Sequence, residues 1–266
     1  MGQERPVPRP FLKWAGGKRQ LLAEILKNIP PVKDYTYYEP FVGAGAVFFA
    51  LRPPRAVIND GNAQLMTTYR VIRDDVEALI AVLREHEKNN GAEYYYRIRD
   101  LDRDGPAFAR LPEAEKAGRL IFLNKTCYNG LYRVNSRGLF NVPRGSYKQP
   151  RICEETLLRV VSAYLRDNDV TILQGDFAAA LGGAGDRAVV YFDPPYHSPD
   201  RLHFTGYQPP GFGEAEQRRL RDCFFALTEG GAACLLSNAD TEFIRGLYAD
   251  PRCVLIPLRA RRPINS

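Results

Sequence analysis

Apolar residues recur at helical spacing from Lys18 to Ile29, and a Pro-Pro pair then ends the predicted helix. Elsewhere, short apolar runs typical of buried strands alternate with amphipathic helical stretches. The predicted strands are YTYYEPF, which ends at Glu39, AVIND (56–60), VTILQGDF, AVVYFDPPY, AACLLSNAD and CVLIPLRAR. Such alternation predicts an α/β fold with a parallel, Rossmann-like sheet.

The alternation is interrupted between residues 65 and 155. From Gln64 to Asp104 the pattern is mostly helical and polar, and EKAGRLIFLNKTCYNGLYRV begins as a helix that breaks near Asn129 and Gly130. RVNSRGLFNVPRGSY then reads as two short extended pieces around a Ser-Arg-Gly turn. We therefore predict one domain formed by residues 1–64 and 156–266, with a second domain inserted at 65–155.

The composition is that of a folded protein without a membrane span. Hydrophobic residues make up 45% of the 266 positions, and no run approaches the roughly 18 apolar residues that a membrane helix needs. The charged, Pro-rich amino terminus does not resemble a secretory signal. Five scattered cysteines without C-x-x-C and three histidines without ligand spacing predict reduced thiols, no metal site and a cytoplasmic protein.

Positive charge is concentrated in one stretch of a chain whose net charge is +6. Residues 116–153 contain eight Lys or Arg and no acid, with aromatic residues between them. The aromatic residues are Phe122, Tyr128, Tyr132, Phe140 and Tyr147. This pattern favours a surface that binds a polyanion, although charge runs are also common on ordinary solvated faces.

A glycine turn and an acid follow the first two strands. FVGAGAVFF places Phe41, Gly43 and Gly45 at the end of the first strand, and Asp60 ends the second. Glycine lets a ligand approach the backbone, and an acid at this position can accept hydrogen bonds from ribose hydroxyls. Phe48 replaces the third glycine of G-x-G-x-x-G, which favours a nucleoside without pyrophosphate, such as S-adenosylmethionine, over NAD.

The stretch VVYFDPPYH sets an acid and an aromatic ring on a stiff turn after a strand. If the Asp193 carboxylate and the Pro194 carbonyl each accept one N–H of an adenine amine, its lone pair can face a methyl sulfonium. Pro194 and Pro195 restrict the backbone, so the acceptors are fixed before substrate arrives. Tyr196 offers a face on which a base can stack. The turn therefore predicts methyl transfer to an amine, with Asp193, Pro194, Pro195 and Tyr196 as catalytic residues.

These motifs occur in order over nearly the whole chain, as FLKWAGGKRQLL, YEPFVGAGAVFF, IND, NKTCYNGLYRVNSRGLFNVPRGSYKQP, DPPY, FTGY and LSNADT. The sequence closely resembles the Dam-type, D12-class (alpha group) DNA adenine N6-methyltransferases. The resemblance implies a Rossmann-like methyltransferase sheet with an inserted target-recognition domain of helices and a β-hairpin. It also implies methyl transfer from S-adenosylmethionine, without a metal, to the N6 amine of a flipped adenine in a short duplex DNA site. GATC is a candidate site, although Ser146 stands where several GATC-specific members carry Arg.

The resemblance assigns residues to two binding surfaces. The cofactor would contact Trp14, Lys18, Glu39, Phe41, Gly43, Asp60, Asp176, Phe177 and Asp193. DNA would contact Lys13, Tyr128, Asn129, Leu131, Arg133, Arg137, Pro143 and Tyr147. Arg133 is the residue expected to read guanine, Arg137 is expected to contact phosphate, and FTGY (204–207) would lie near the flipped base.

Other functions remain open at this level. An RNA adenine methyltransferase is the main alternative, although the hairpin segment favours duplex DNA. Methylation of a protein amide is disfavoured, because related enzymes of that type carry Asn where this chain has Asp193, and a DNA-binding protein without catalysis is a third class. The expected partners are double-stranded DNA and a cognate restriction endonuclease of a restriction-modification system, with no membrane. We expect a monomer or weak dimer, associated with the nucleoid through DNA.

Overall fold

The computed structural model describes residues 6–14, 18, 20–198 and 211–259. Within them, ten α-helices and five strands follow one another along the chain. In chain order they are α1 (Leu22–Asn28), β1 (Thr36–Glu39), α2 (Ala46–Leu51), β2 (Arg55–Ile58), α3 (Ala63–Asp74), α4 (Val76–Lys88), α5 (Ala92–Arg99), α6 (Gly105–Arg110), α7 (Glu113–Thr126), α8 (Glu155–Asp167), β3 (Asp169–Ile172), β4 (Ala188–Phe192), α9 (Glu214–Glu229), β5 (Ala233–Leu236) and α10 (Glu242–Leu247). Short 3-10 turns occupy Asp100–Arg103, Tyr128–Gly130 and Ala179–Leu181. None of the helices in these described ranges is long and apolar enough to cross a membrane.

The strands form one parallel sheet in the order β3-β2-β1-β4-β5. Tyr38 of β1 lies opposite Val57 of β2 on one side and Val190 of β4 on the other. The strand order reverses between β1 and β4, and ligands of open α/β sheets bind beyond the carboxyl ends of the strands at such a point. The predicted α/β, Rossmann-like fold is confirmed.

Each face of the sheet buries its own hydrophobic cluster, as the two-residue period of a strand requires. Val189 and Tyr191 of β4 pack with the helical layer, whereas Val190 and Phe192 pack with α9. Leu79 of α4 and residues of α3, α7 and α8 belong to the first cluster. The helices predicted to be inserted therefore share a core with the sheet, and the domain boundaries at 64/65 and 155/156 stay predictions.

Three predicted element boundaries differ from the structure. Helix α1 begins at Leu22 rather than at Lys18, whose side chain reaches across to Asp193. Helix α7 ends at Thr126, because Cys127 is extended. The strand predicted at CVLIPLRAR was wrong for its described part: residues 253–259 form no strand, and Val254 is 86% exposed. Apolar character alone does not make a strand, because β propensity needs a neighbouring strand to pack against.

The two extended pieces predicted around the Ser-Arg-Gly turn form a short antiparallel hairpin at residues 133–141. Val134 bridges Phe140, and the Asn141 amide donates to the Arg133 carbonyl over 3.1 Å. At the tip, the Asn135 side chain accepts from the amide of Arg137 over 3.0 Å. We refer to residues 133–141 as the hairpin.

Candidate active site

A cavity of about 830 Å³ opens at the carboxyl edge of the sheet, beside the ends of β1, β2 and β4. It brings together every residue that the sequence assigned to the cofactor or to catalysis. These are Trp14, Lys18, Glu39, Phe41, Gly43, Asp60, Asp176, Phe177, Asp193, Pro194, Pro195 and Tyr196. The convergence follows from topology, because parallel strands deliver their following residues to the same edge.

The glycine turn after β1 requires glycine for two reasons. Gly43 and Gly45 have φ of 50° and 73°, in the left-handed region that side chains rarely adopt. A Cβ on Gly45 would stand 2.7 Å from the hydroxyl oxygen of Tyr69. That hydroxyl donates to the Gly43 carbonyl over 3.1 Å, so α3 fixes the turn from behind.

Asp60 ties the glycine turn to the start of α3. Its carboxylate accepts from the amides of Gly43 over 3.1 Å and Asn62 over 2.9 Å. Burial raises the pKa of Asp60, and these two amide donors oppose that rise. A carboxylate offers about four lone-pair sites, so Asp60 keeps acceptor capacity for hydroxyl groups in the cavity it lines.

Two acids stand at the ends of the central strands: Glu39 is buried, and the Asp193 side chain is 19% exposed. Glu39 is 2% exposed and accepts from the Tyr37 hydroxyl over 2.7 Å. Burial raises the pKa of Glu39 to about 8 and that of Asp193 to about 6. A cation bound beside these carboxyls would lower both pKa values, because it favours their ionised forms.

Lys18 lies between the acid and the ring of the DPPY turn. Its ammonium nitrogen is 2.7 Å from Asp193 Oδ1 and 4.6 Å from the centroid of the Tyr196 ring. The Lys18 side chain is only 7% exposed, and its charge opposes the rise in the Asp193 pKa. Lys18 was predicted to contact the cofactor. In the structure its ammonium group lies beside Asp193 and Tyr196, at the position predicted for the substrate amine.

Sequence reasoning missed the residues that brace the DPPY turn. Gln217 of α9 is fully buried; its amide nitrogen donates to the Pro195 carbonyl over 2.9 Å, and its oxygen accepts from Asn238 over 3.0 Å. Asn238 also accepts from the His197 amide over 3.2 Å. A polar residue three positions before buried Leu220, on the apolar face of α9, is the signal that could have identified Gln217.

Arg219 of α9 contacts two of the predicted cofactor residues. Its guanidinium forms an ion pair with the Asp176 carboxylate and lies 4.4 Å from the centroid of the Phe177 ring. The Phe177 ring lies 5.2 Å from that of Phe41, and Phe212 packs on both. This end of the cavity therefore has aromatic walls.

Asn124 is another residue that the sequence did not single out. Asn124 is buried. Its side-chain oxygen accepts from the Lys13 amide over 2.9 Å, and its side-chain nitrogen donates to the Lys13 carbonyl over 2.7 Å. Its nitrogen also donates to the Gly130 carbonyl over 2.9 Å. Asn124 therefore holds the amino-terminal motif against the turn after α7.

The residues predicted to bind DNA lie on this turn, on the hairpin, or, for Lys13, Pro143 and Tyr147, beside them. Tyr128 and Leu131 are 44% and 39% exposed, and Asn129 adopts a left-handed φ of 54°. The Tyr128 amide donates to the carbonyl of exposed Pro143 over 2.9 Å. Lys13 Nζ lies 5.0 Å from the centroid of the Tyr147 ring.

The arginines of the hairpin are exposed. Arg133 Nε donates to Asn141 Oδ1 over 2.8 Å, across the hairpin, and Arg137 lies at the tip. A second Arg133 guanidinium nitrogen donates to the Asn141 carbonyl over 3.5 Å, whereas the Arg137 contact is that of its backbone amide. The predicted FTGY loop (204–207) lies outside the described residues.

The basic stretch is a smaller surface than its sequence suggested. Arg119 is 1% exposed and pairs with Asp102 over 2.8 Å. Two lysines pair with glutamates outside the stretch, Lys116 with Glu113 and Lys125 with Glu154. Two of the aromatic residues, Phe122 and Phe140, lie in the core. Acids from other segments therefore pair with three of the eight cations, and the polyanion-binding surface stays a prediction that rests on the remaining residues of the stretch.

Among the described residues, no three or more His, Cys, Asp or Glu form a group that could hold a metal ion. The cavity instead combines acids with aromatic rings at the switch point of a parallel sheet. In an α/β protein, a cavity of this kind suits a nucleoside-like ligand.

Comparison with known proteins identifies the family. Residues 14–262 match the model of the D12 class N6 adenine-specific DNA methyltransferases. The chain is 45% identical over 243 residues to the type II methyltransferase M1.LlaDCHI of Lactococcus lactis subsp. cremoris, covering 91% of this chain and 85% of that protein. It is 40% identical to the type II methyltransferase M.MjaIII of Methanocaldococcus jannaschii (90% and 88% covered), and 34% to the DNA adenine methylase of Escherichia coli K12 (97% and 90%). The chain belongs to the D12 class of N6 adenine-specific DNA methyltransferases.

Proposed function

We propose that this protein transfers a methyl group from S-adenosylmethionine to the N6 amine of an adenine flipped out of a short duplex DNA site. One observation carries the proposal: an amine nitrogen, that of Lys18, lies 2.7 Å from Asp193 Oδ1 and 4.6 Å from the centre of the Tyr196 ring. The same acceptor and ring suit the amine and the face of a flipped base. Family membership supports the reaction.

The cavity residues fit S-adenosylmethionine, which supplies a methyl group bound to a sulfonium sulfur. Asp60, fixed by two backbone amides, would hold ribose hydroxyls. The rings of Phe41 and Phe177 would contact the adenine ring, and the buried carboxyl of Glu39 would face the cationic part of the molecule. A volume of about 830 Å³ is sufficient for a ligand of this size.

Asp193 prepares the substrate amine for attack. Its carboxylate would accept one N–H and the Pro194 carbonyl the other, so the nitrogen can become pyramidal. Positive charge that develops on N6 then faces a fixed, largely buried anion, and no acceptor has to reorganise. The bracing of Pro195 by Gln217 supports this role, because it fixes the turn from α9.

The flipped base needs the space beside Asp193 that Lys18 occupies in this structure. Binding of the base would therefore replace the Lys18 contact with the substrate amine, so that the carboxylate keeps a donor throughout. Because burial raises the pKa of Asp193, a donor at this position also favours its ionised form.

The exposed turn and hairpin would contact DNA, with Arg133 reading a guanine. The similarity to type II methyltransferases at 45% and 40% identity supports a role beside a cognate restriction endonuclease. GATC, the candidate that the family resemblance implies, is the first site to test, with Ser146 in place of the Arg that several GATC-specific members carry. We propose that the enzyme acts as a monomer or weak dimer in the cytoplasm, on chromosomal DNA.

The test is incubation with tritiated S-adenosylmethionine and unmethylated duplex DNA, with mapping of N6-methyladenine by sequencing. We expect label in DNA at one short site, and activity that is retained in EDTA. Matched reactions contain RNA of the same sequence or protein substrates. Label in RNA alone would establish the alternative function, and label in neither nucleic acid would refute the proposal.

A further inference from the structure

Tyr132 lies where the cavity wall meets the hairpin. It immediately precedes Arg133 and is half-buried. Its ring stacks on Trp14, with centroids 5.1 Å apart and planes 25° apart. It also packs edge-on against Phe140, at 5.8 Å and 60°. One side chain thus touches two elements that the proposed function uses for different ligands.

The contacts of Tyr132 on one side belong to the wall of the cavity. Trp14 and Asn62 both line it, and the Asn62 side chain is within hydrogen-bonding reach of the Tyr132 hydroxyl. Asn62 also donates its amide to Asp60 over 2.9 Å. Trp14 packs on the glycine turn, since a Cβ on Gly43 would stand 3.0 Å from its ring.

The contact on the other side belongs to the base of the hairpin. Phe140 is buried, and its amide donates to Asp102 over 2.9 Å while its carbonyl accepts from Arg103 over 2.8 Å. Val134 bridges Phe140 across the hairpin. Any shift of Tyr132 relative to Phe140 therefore changes the position of the residues between them, including Arg133.

We propose that Tyr132 is a positioning residue that couples occupancy of the cofactor cavity to DNA binding by the hairpin. This inference rests on the proposed function. A ligand against Trp14 and Asn62 restricts their motion and, through the stack, that of Tyr132. DNA then binds a hairpin whose first residues are already ordered. The conformational entropy lost on ordering them is therefore lost only once for the two ligands. Linkage requires the effect to be reciprocal, with couplings commonly about 5- to 150-fold.

Calorimetry measures the affinity of each of two ligands for the protein, in the absence and in the presence of the other. The ligands are S-adenosylhomocysteine, which cannot donate a methyl group, and a duplex carrying the mapped site. In the wild-type protein we expect each ligand to tighten the other by the same factor, at least about fivefold. Tyr132→Leu, which removes the stack, should reduce the factor to within about twofold of unity while each ligand alone binds within about threefold of wild type.

Two further variants separate coupling from general damage. Tyr132→Phe keeps the ring and should restore most of the factor. Tyr35→Leu changes an exposed tyrosine before β1, at the opposite end of the sheet, and should leave the factor unchanged. Three results would overturn the inference. The wild-type protein could show no coupling between the ligands, Tyr132→Leu could keep the wild-type coupling factor, or both Tyr132 variants and the Tyr35→Leu control could all lose it. Absence of binding by either ligand alone in wild type would instead refute the proposed function.

Discussion

The cavity edge and the hairpin hold their charged side chains in opposite ways. At the cavity, Asp60, Asp193 and Lys18 are largely withdrawn from solvent, and each has a fixed partner within 3.1 Å. On the hairpin, Arg133 and Arg137 are exposed, and the Arg133 side chain bonds only across the hairpin, to Asn141, in the part of the chain that the structure describes. The first arrangement suits chemistry, which needs acceptors already in place. The second suits a long, charged partner, because exposed side chains can adjust to it and respond to salt.

Removing the Asp193 carboxylate is expected to have the largest effect on the difference between the cavity edge and the hairpin. Asp193→Ala should lower kcat by about 100-fold or more, because loss of one preorganised group typically costs that much. DNA affinity should stay near wild type, since the hairpin is untouched. Single-turnover methylation and a DNA titration measure the two effects. Asp169→Ala, at the amino end of β3, is the matched control, and retention of more than about a tenth of kcat by Asp193→Ala would contradict the assigned role.

Removing an exposed cation should change specificity instead of chemistry. Arg133→Ala should cost about 1–3 kcal/mol of discrimination at one guanine position, as expected for loss of a bidentate contact. The other positions of the site and kcat at saturating DNA should change little. Methylation of a randomised site library measures the effect. A uniform loss across all sequences would instead make Arg133 a phosphate contact.

The pH profile sharpens the description of the buried site. Burial raises the pKa of Asp193 to about 6, so the carboxylate gains a proton, and loses an acceptor, as the pH falls through this value. We expect kcat/KM for DNA to fall about tenfold per pH unit below it. Lys18→Gln removes the cation that opposes the rise, so its acidic limb should move to higher pH. Coincident acidic limbs in the two proteins would contradict the Lys18 assignment.

The smallest effect is expected at the tip of the hairpin. DNA affinity should fall with salt, and Arg137→Ala should reduce the slope of log affinity against log salt by about one, because one phosphate contact is lost. Sequence preference should not change. Arg166→Ala, exposed on α8, is the control with a wild-type slope. A shift in sequence preference for Arg137→Ala would show that the tip reads bases.

Residues at strand ends could be placed from sequence, because a parallel sheet brings them to one edge. Glu39, Asp60 and Asp193 needed only three strand predictions and the order of the fold. Contacts between distant segments could not be placed in this way. The burial of Arg119 depends on Asp102, on a separate 3-10 turn, and no local pattern indicates that partner. Counting acids along the chain therefore overestimated the free positive surface.

The same limit applies to the polar residues that fix the site. Asn124 and Gln217 each bridge backbone groups from other parts of the chain. Single polar residues on otherwise apolar helix faces are visible in the sequence, but their partners are not. Motif order indicated which residues belong together, whereas the structure was needed to find what holds them in position.

The attachment of Phe140 has a consequence for backbone dynamics. Its amide is buried and donates to Asp102, which is itself held by Arg119, whereas the amide of Arg137 donates to a side chain at an exposed tip. Amide hydrogen exchange should therefore be slow at Phe140, where it requires larger-scale opening, and fast only three residues away. The hairpin is thus anchored at its Phe140 end and exposed at its tip. If the hairpin contacts DNA as proposed, its tip would adjust to the duplex while its base stays with the helices that support the sheet.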